Sequence, residues 1–166
     1  MRKVMSGDIA AFEQLYNLTY KPVFSFLLSL TANQEDAKDL LQETFLRVLG
    51  SAHLYKEQGN LMAWIMKIGR NLFLMEQRKR REIPVSEEEL RTEQLNFDAI
   101  SDRETRILME QLFRVLTEDE REIVVLHAIA GFRHKEIAEM MDIPLGTILS
   151  KYNRAMKKLK NTAGEM

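Results

Sequence analysis

The chain has 166 residues, 45% of them hydrophobic, with 24 Lys and Arg against 25 Asp and Glu for a net charge of −1. That suits one ordinary domain or two small ones. The absence of cysteine excludes a disulfide framework, a thiolate metal site and a cysteine nucleophile, and the absence of any long apolar run argues for a cytoplasmic chain with no membrane insertion.

Few glycines and prolines, with apolar residues spaced by three and four, predict an all-α chain. The expected arrangement is two small helical domains, 1–82 and 102–166, joined by a polar linker at 83–101. A first helix is expected over Asp8–Tyr20, with Ile9, Phe12, Leu15 and Tyr16 as its apolar stripe. A second should run from Pro22 to Leu30, the proline sitting in the first turn where it is tolerated. A third covers Glu35–Val48. There Ala37, Leu40, Leu41, Phe45 and Val48 fall on one side, and Asp39, Gln42, Glu43, Leu46 and Arg47 on the other. Leu46, apolar among polar neighbours, is the kind of residue that anchors a partner helix, although isolated exposed leucines are common.

Ser51–Asn60 reads as a polar loop containing Tyr55. Leu61–Glu82 then forms a long helix, with Ile65, Ile68, Leu72 and Met75 expected inside and Lys67, Arg70, Asn71, Leu74 and Arg78 outside. Trp64 could stack on a base, but a tryptophan beside an apolar stripe is more often core. The helix ends in Arg78-Lys79-Arg80-Arg81, a run suited to a phosphate backbone. Ile83–Ser101, with Pro84 and Glu87-Glu88-Glu89, reads as the linker and contains a marginal helix at Glu87–Leu95.

From Asp102 a helix should reach Leu116 with Ile107, Leu108, Leu112 and Val115 inside. Thr117 then caps Glu118–Ala130, and Thr117-x-x-Glu120 fits a capping box. Gly131 ends that helix. Beyond it two short helices meet at a tight turn. Ile137 and Met141 share one face, as do Ile148 and Tyr152. Asp142-Ile143-Pro144 breaks the chain between them, because Asp tolerates the left-handed conformation and the residue before proline avoids the helical one. Small Ala138 lets the two helices approach. Ile148, Tyr152, Ala155 and Leu159 face inward, leaving Thr147, Ser150, Lys151, Arg154, Lys157 and Lys158 outside. This is the pattern of a helix-turn-helix whose second helix enters a DNA major groove. Ser, Lys and Arg there can meet phosphates and base acceptors, and the basic run from Lys151 to Lys160 offsets the low net charge locally.

An enzyme reading finds little support. His53, His127 and His134 are far apart in sequence and form no metal-binding pair, so neither a metal nor another cofactor is expected. His127, in the apolar run Val124–Ala130, is expected to be wholly or partly buried. The carboxylates Glu35, Asp36, Asp39 and Glu43 have no histidine partner and no phosphate-cradling loop.

Several motifs occur in a telling order. The first half contains Asp36-Ala37-x-Asp39-Leu40-x-Gln42-Glu43-Thr44-Phe45, then Ala63-Trp64-Ile65-x-x-Ile68-x-Arg70-Asn71 and the arginine-rich end. The second contains Leu116-x-x-x-x-Arg121-x-Ile123-Val124, Glu136-Ile137-Ala138 and Ile143-Pro144-x-Gly146-Thr147-Ile148-x-Ser150. Together they resemble a bacterial sigma factor of the extracytoplasmic-function (ECF) group, over nearly everything but the linker and tail. The resemblance implies a protein that binds core RNA polymerase, places both halves on promoter DNA and opens the duplex. By that resemblance Asp39, Gln42, Glu43, Leu46 and Arg47 dock on the polymerase clamp helices. The loop at Tyr55–Asn60, with Arg70 and Asn71, captures an unstacked base of the minus-ten element. Arg78, Lys79 and Arg80 hold adjacent phosphates. Gly146, Thr147, Ser150, Lys151 and Arg154 face the minus-thirty-five element. Asp142 stands where such proteins often have glycine, Leu149 where they often have a basic residue, and Asn153 where they are often apolar, which leaves the promoter sequence open. A polar linker leaves room for an anti-sigma factor wedged between the halves, although no residue pattern encodes one. The competing reading is a helix-turn-helix transcriptional regulator that is not a sigma factor, with a self-dimerising first half and a palindromic site.

Overall fold

A computed structural model describes residues 1–56, 59–82 and 103–164, and among these the chain forms eight α-helices and no strand. They are α1 (Arg2–Met5), α2 (Ile9–Thr31), α3 (Gln34–Gly50), α4 (Leu61–Glu82), α5 (Arg103–Val115), α6 (Glu118–Val124), α7 (His134–Met141) and α8 (Leu145–Gly164). The linker at 83–101 and its marginal helix lie outside the described residues.

Helices α2, α3 and α4 build the first bundle. Asp8 caps α2 by accepting from the Ala11 amide at 3.0 Å. One continuous helix replaces the two expected on either side of Pro22. A proline there removes the bond to the carbonyl four residues back, that of Leu18. The Leu18 side chain is exposed, so water can serve this side of the helix, while Val23, Phe26, Leu27 and Leu30 beyond the proline are buried. Burial of that stretch outweighs the lost bond. Ala32 turns the chain in the left-handed region at φ 58°, and the Asn33 side chain caps α3 at the amides of Glu35 and Asp36.

The inner face expected for α3 is the one observed: Ala37, Leu40, Leu41, Phe45 and Val48 are all buried. For α4 the expected stripe is rotated. Ile65 is buried, but its companions are Met66, Gly69 and Phe73; Ile68 and Leu72 are half-buried and Met75 is 50% exposed. Gly69 explains the rotation. A Cβ on it would lie 2.9 Å from Leu27 Cδ2 and 3.0 Å from Thr44 Oγ1, so α4 approaches α2 and α3 through its glycine.

The second bundle comprises α5 to α8. Ile107 of α5, expected inside, is 41% exposed, whereas Leu112 is buried as expected. Thr117 and Glu120 form the capping box, the Thr117 amide donating to the Glu120 carboxylate at 3.1 Å. Helix α6 then widens into one π-type turn at Val125–Ile129, with Ala130 donating to the Val125 carbonyl at 3.1 Å. Gly131 at φ 77° ends it and turns buried Phe132 into the core. Asp142 takes the left-handed conformation at φ 57°, as the turn between α7 and α8 requires. Ile137, Ile148 and Ala155 are fully buried between those helices.

The two bundles are packed against each other, α2 on α6 and α4 on α7. Buried Arg121 donates from Nε to the Ser29 carbonyl at 2.9 Å, with its guanidinium 3.7 Å from the centroid of the Phe113 ring. Burial lowers the Arg121 pKa to about 10. The guanidinium stays charged at neutral pH and serves as a polar rivet.

Candidate nucleic-acid and polymerase interfaces

Four stretches carry the residues singled out in the sequence. On α4, Lys67, Asn71 and Arg78 are exposed and follow one another at helical spacing along one stripe. Asn71 makes no side-chain hydrogen bond among the described residues, and Lys79, which follows Arg78, is exposed. Arg80 is engaged, donating to Asp36 Oδ2 at 3.1 Å. Arg70 departs from the expected outer face. It is half-buried and donates from Nε to Glu122 Oε1 at 2.7 Å, the carboxylate belonging to α6 of the other bundle. Burial pushes the Glu122 carboxyl up, and the Arg70 guanidinium pulls it part of the way back.

Tyr55 follows a short 3₁₀ turn at Ala52–Leu54. Its hydroxyl donates to the Gly59 carbonyl at 2.6 Å, and its ring lies 5.3 Å from that of Trp64 at 60°. The two aromatics thus cover each other, and Trp64 is half-buried. A cleft beside them is lined by Asn60, Lys67, Glu136 and Glu139. Asn60 donates to Glu136 Oε1 at 3.1 Å, a third polar link between bundles. The Glu136 carboxyl is held below its usual range, first by the Arg133 amide and then by Asn60.

On α8, Gly146, Thr147, Ser150 and Arg154 are all exposed. Lys151 departs from the free basic side: it is paired with Asp119 of α6. Lys158 is likewise paired with buried Glu120 at 2.6 Å. Burial raises the Glu120 carboxyl, but Lys158 and the Thr117 amide prevail and hold it low. Arg154, Lys157 and Lys160 remain exposed and without ion pairs among the described residues. These three, with Ser150, are the groups that can reach an anionic backbone.

On α3, Asp39, Gln42 and Arg47 are exposed, and Arg47 donates to the half-buried Glu43 at 2.9 Å. Leu46 is 58% exposed. Leu49, three residues on, and Leu54 in the following turn are exposed too, which the sequence reading missed. The signal was available in the helical spacing of Gln42, Leu46 and Leu49. Leu46 is therefore part of an apolar patch, the kind that marks a protein contact.

His127, expected to be wholly or partly buried, is half-buried. His127 and His134, seven residues apart in sequence, stack at 4.2 Å, with the Tyr152 ring edge-on to both. His127 bonds the Phe132 carbonyl through Nδ1 at 2.7 Å. No group of His, Asp or Glu among the described residues could hold a metal ion, and no described helix is long and apolar enough to cross a membrane.

Two bundles, one ending in a helix-turn-helix and the other exposing an amide–cation stripe, have the build of a DNA-binding protein. Comparison with known proteins bears on this directly. Residues 15–83 match the family described as Sigma-70 region 2, and residues 106–159 match Sigma-70, region 4. The ECF RNA polymerase sigma factor EcfG of Rhodopseudomonas palustris (strain TIE-1) is 34% identical over 140 residues, covering 81% of this chain and 75% of that protein. The RNA polymerase sigma factor CarQ of Myxococcus xanthus is 30% identical over 168 residues, covering 100% and 97%. Among solved structures, the sigma factor RpoE in complex with the anti-sigma factor NepR from Bartonella quintana superposes with a TM-score of 0.77 at 26% identity, over 92% of this chain and 96% of that one. CnrH, solved with the cytosolic domain of CnrY, shares the fold at a TM-score of 0.70 and 22% identity, over 99% and 94%. The chain belongs to the ECF sigma factors of the sigma-70 family. It binds core RNA polymerase and promoter DNA and directs transcription initiation.

Proposed function

We propose that the work of this sigma factor divides at the linker: 1–82 binds polymerase and opens the promoter, and 102–166 holds the upstream element. The observation that carries this is the pair of separate outward faces, Lys67–Asn71–Arg78 on α4 and Ser150–Arg154–Lys157 on α8. Asn71 offers an amide to an unstacked base, and Trp64 with Tyr55 supplies an aromatic wall beside it. Arg78, Lys79 and Arg80 hold the neighbouring phosphates, Arg80 by exchanging Asp36 for phosphate. On α8, Gly146 and Thr147 meet the DNA backbone, and Ser150, Lys151 and Arg154 face the base edges and phosphates of the groove. Asp39, Gln42, Glu43, Leu46 and Arg47 form the polymerase contact, with Leu46 as its apolar centre.

The packed arrangement is a resting form. Arg70 cannot serve a promoter base while Glu122 holds it; Lys151 reaches the groove only by leaving Asp119, a partner within its own bundle. Polymerase binding parts the bundles and frees Arg70. A partner protein that grips both bundles would keep them closed, and RpoE, which shares this arrangement, is itself solved with an anti-sigma factor. The site of action is the cytoplasm, and the chain contributes no catalytic chemistry of its own.

Run-off transcription tests this reading. Core polymerase supplied with the full chain should initiate at discrete promoters on genomic fragments. Asn71→Ala should lower permanganate reactivity of the melted bubble more than it lowers duplex binding. Unchanged bubble reactivity would remove Asn71 from strand opening.

A further inference from the structure

Part of the exposed side of α8 is not basic. The first turns of a recognition helix are the ones that meet base edges. In α8 these turns expose two leucines, Leu145 at 42% and Leu149 at 40%. They lie four residues apart and so share a face, and exposed Asn153 continues the line one turn later. The fold does not need either leucine to be apolar, because Ile148, Tyr152, Ala155 and Leu159 supply the inner side. A shallow groove next to Leu145 is lined by Ala138, Ile143 and Pro144 together with charged Lys135, Glu139 and Asp142. The cations come later, at Arg154, Lys157 and Lys160, where they can seat this face against a duplex.

A major groove presents one apolar feature, the C5-methyl group of thymine, and asparagine forms two bonds with adenine N6 and N7. We propose that Leu149, with Leu145 one turn before it, packs on thymine C5-methyl groups of the upstream promoter element, with Asn153 against adenine, and so sets a preference for A·T pairs there. The inference rests on α8 being the recognition helix. What it adds is the chemical feature read and the residue that reads it.

The test uses the full chain with core polymerase to select promoters from duplexes randomised upstream of a fixed minus-ten region. Each thymine of the selected upstream element is then replaced singly by uracil, which removes only the methyl group. At one or two positions uracil should weaken binding about fourfold, the worth of one buried apolar carbon. Leu149→Ala should be indifferent to that replacement while keeping its thermal midpoint, since the side chain is exposed. Selection of an upstream element that depends on Arg154 but has no uracil-sensitive position overturns the proposal and leaves the recognition helix standing. Selection of no upstream preference overturns both.

Discussion

Gly146 occupies the second position of α8, and a Cβ added there would touch nothing within 4 Å. Glycine in a helix costs roughly 0.5–1 kcal/mol relative to alanine, so folding alone would favour a side chain. The missing methyl makes sense if a DNA backbone comes close to the helix start. Gly146→Ala should therefore raise stability by about 0.5–1 kcal/mol in denaturant unfolding while weakening binding to an upstream duplex. Stability and affinity rising together would dismiss this role. Arg154, exposed and unpaired, should be the principal base reader. Arg154→Ala should relax upstream base preference by about 1–3 kcal/mol, and uniform weakening across all sequences would instead mark it as a phosphate contact. Neighbouring Lys151 looked equally available from spacing alone. Its pairing with Asp119 depends on where α6 lies, and no local pattern in α8 encodes that.

At the scale of the helix, legibility followed how far the deciding contact was from the residues themselves. The inner face of α3 and the turn at Asp142 could be read from the sequence because local spacing and backbone preference settle both. The face of α4 could not. Leu, Ile and Met occur all round that helix, and Gly69, which carries no hydrophobic signal, chooses the side. Gly69→Ala should cost about 1–3 kcal/mol through overpacking against Leu27 and Thr44, in contrast to the gain expected at Gly146. Pro22 misled for a related reason: buried residues beyond it carry the helix through. At α7, the first residue His134 stacks on His127, and burial, then the neighbouring imidazole, lowers its pKa from 6.5. A lowered histidine pKa means the folded state binds fewer protons than the unfolded one. Stability is then fully present above pH 6.5 and falls as pH drops through that value towards the lower folded one. His134→Gln should flatten this acid limb in pH-dependent unfolding; an unchanged limb would assign it to other groups.

Across the whole molecule, the contact between bundles is largely polar where it involves functional residues: Arg70 with Glu122, Arg121 with the Ser29 carbonyl, and Asn60 with Glu136. Such a contact can hold the two halves and still release them. Glu122→Ala removes the acceptor and leaves Arg70 without its partner, so closure should weaken by about 1–3 kcal/mol. The chain has no cysteine, so dyes placed through Asn17→Cys and Lys160→Cys would report the bundles moving apart. An unaltered distance in that variant would mean the ion pair does not govern closure. Because burial raises the Glu122 pKa, the closed form binds more protons than the open one. Closure should strengthen as pH falls towards 4.5, and this trend should vanish in Glu122→Gln. Leu46→Glu should lower polymerase affinity without altering the fold, since the side chain is 58% exposed; wild-type affinity would move the contact elsewhere on α3. The internal pairing of Lys151 and Lys158 has a last consequence, for ionic strength. If only Arg154, Lys157 and Lys160 displace counterions from the duplex, the logarithm of upstream affinity should fall against the logarithm of salt with a slope of about −3 rather than about −4.5. An upstream element held by so few condensed-ion exchanges would stay in use when salt rises.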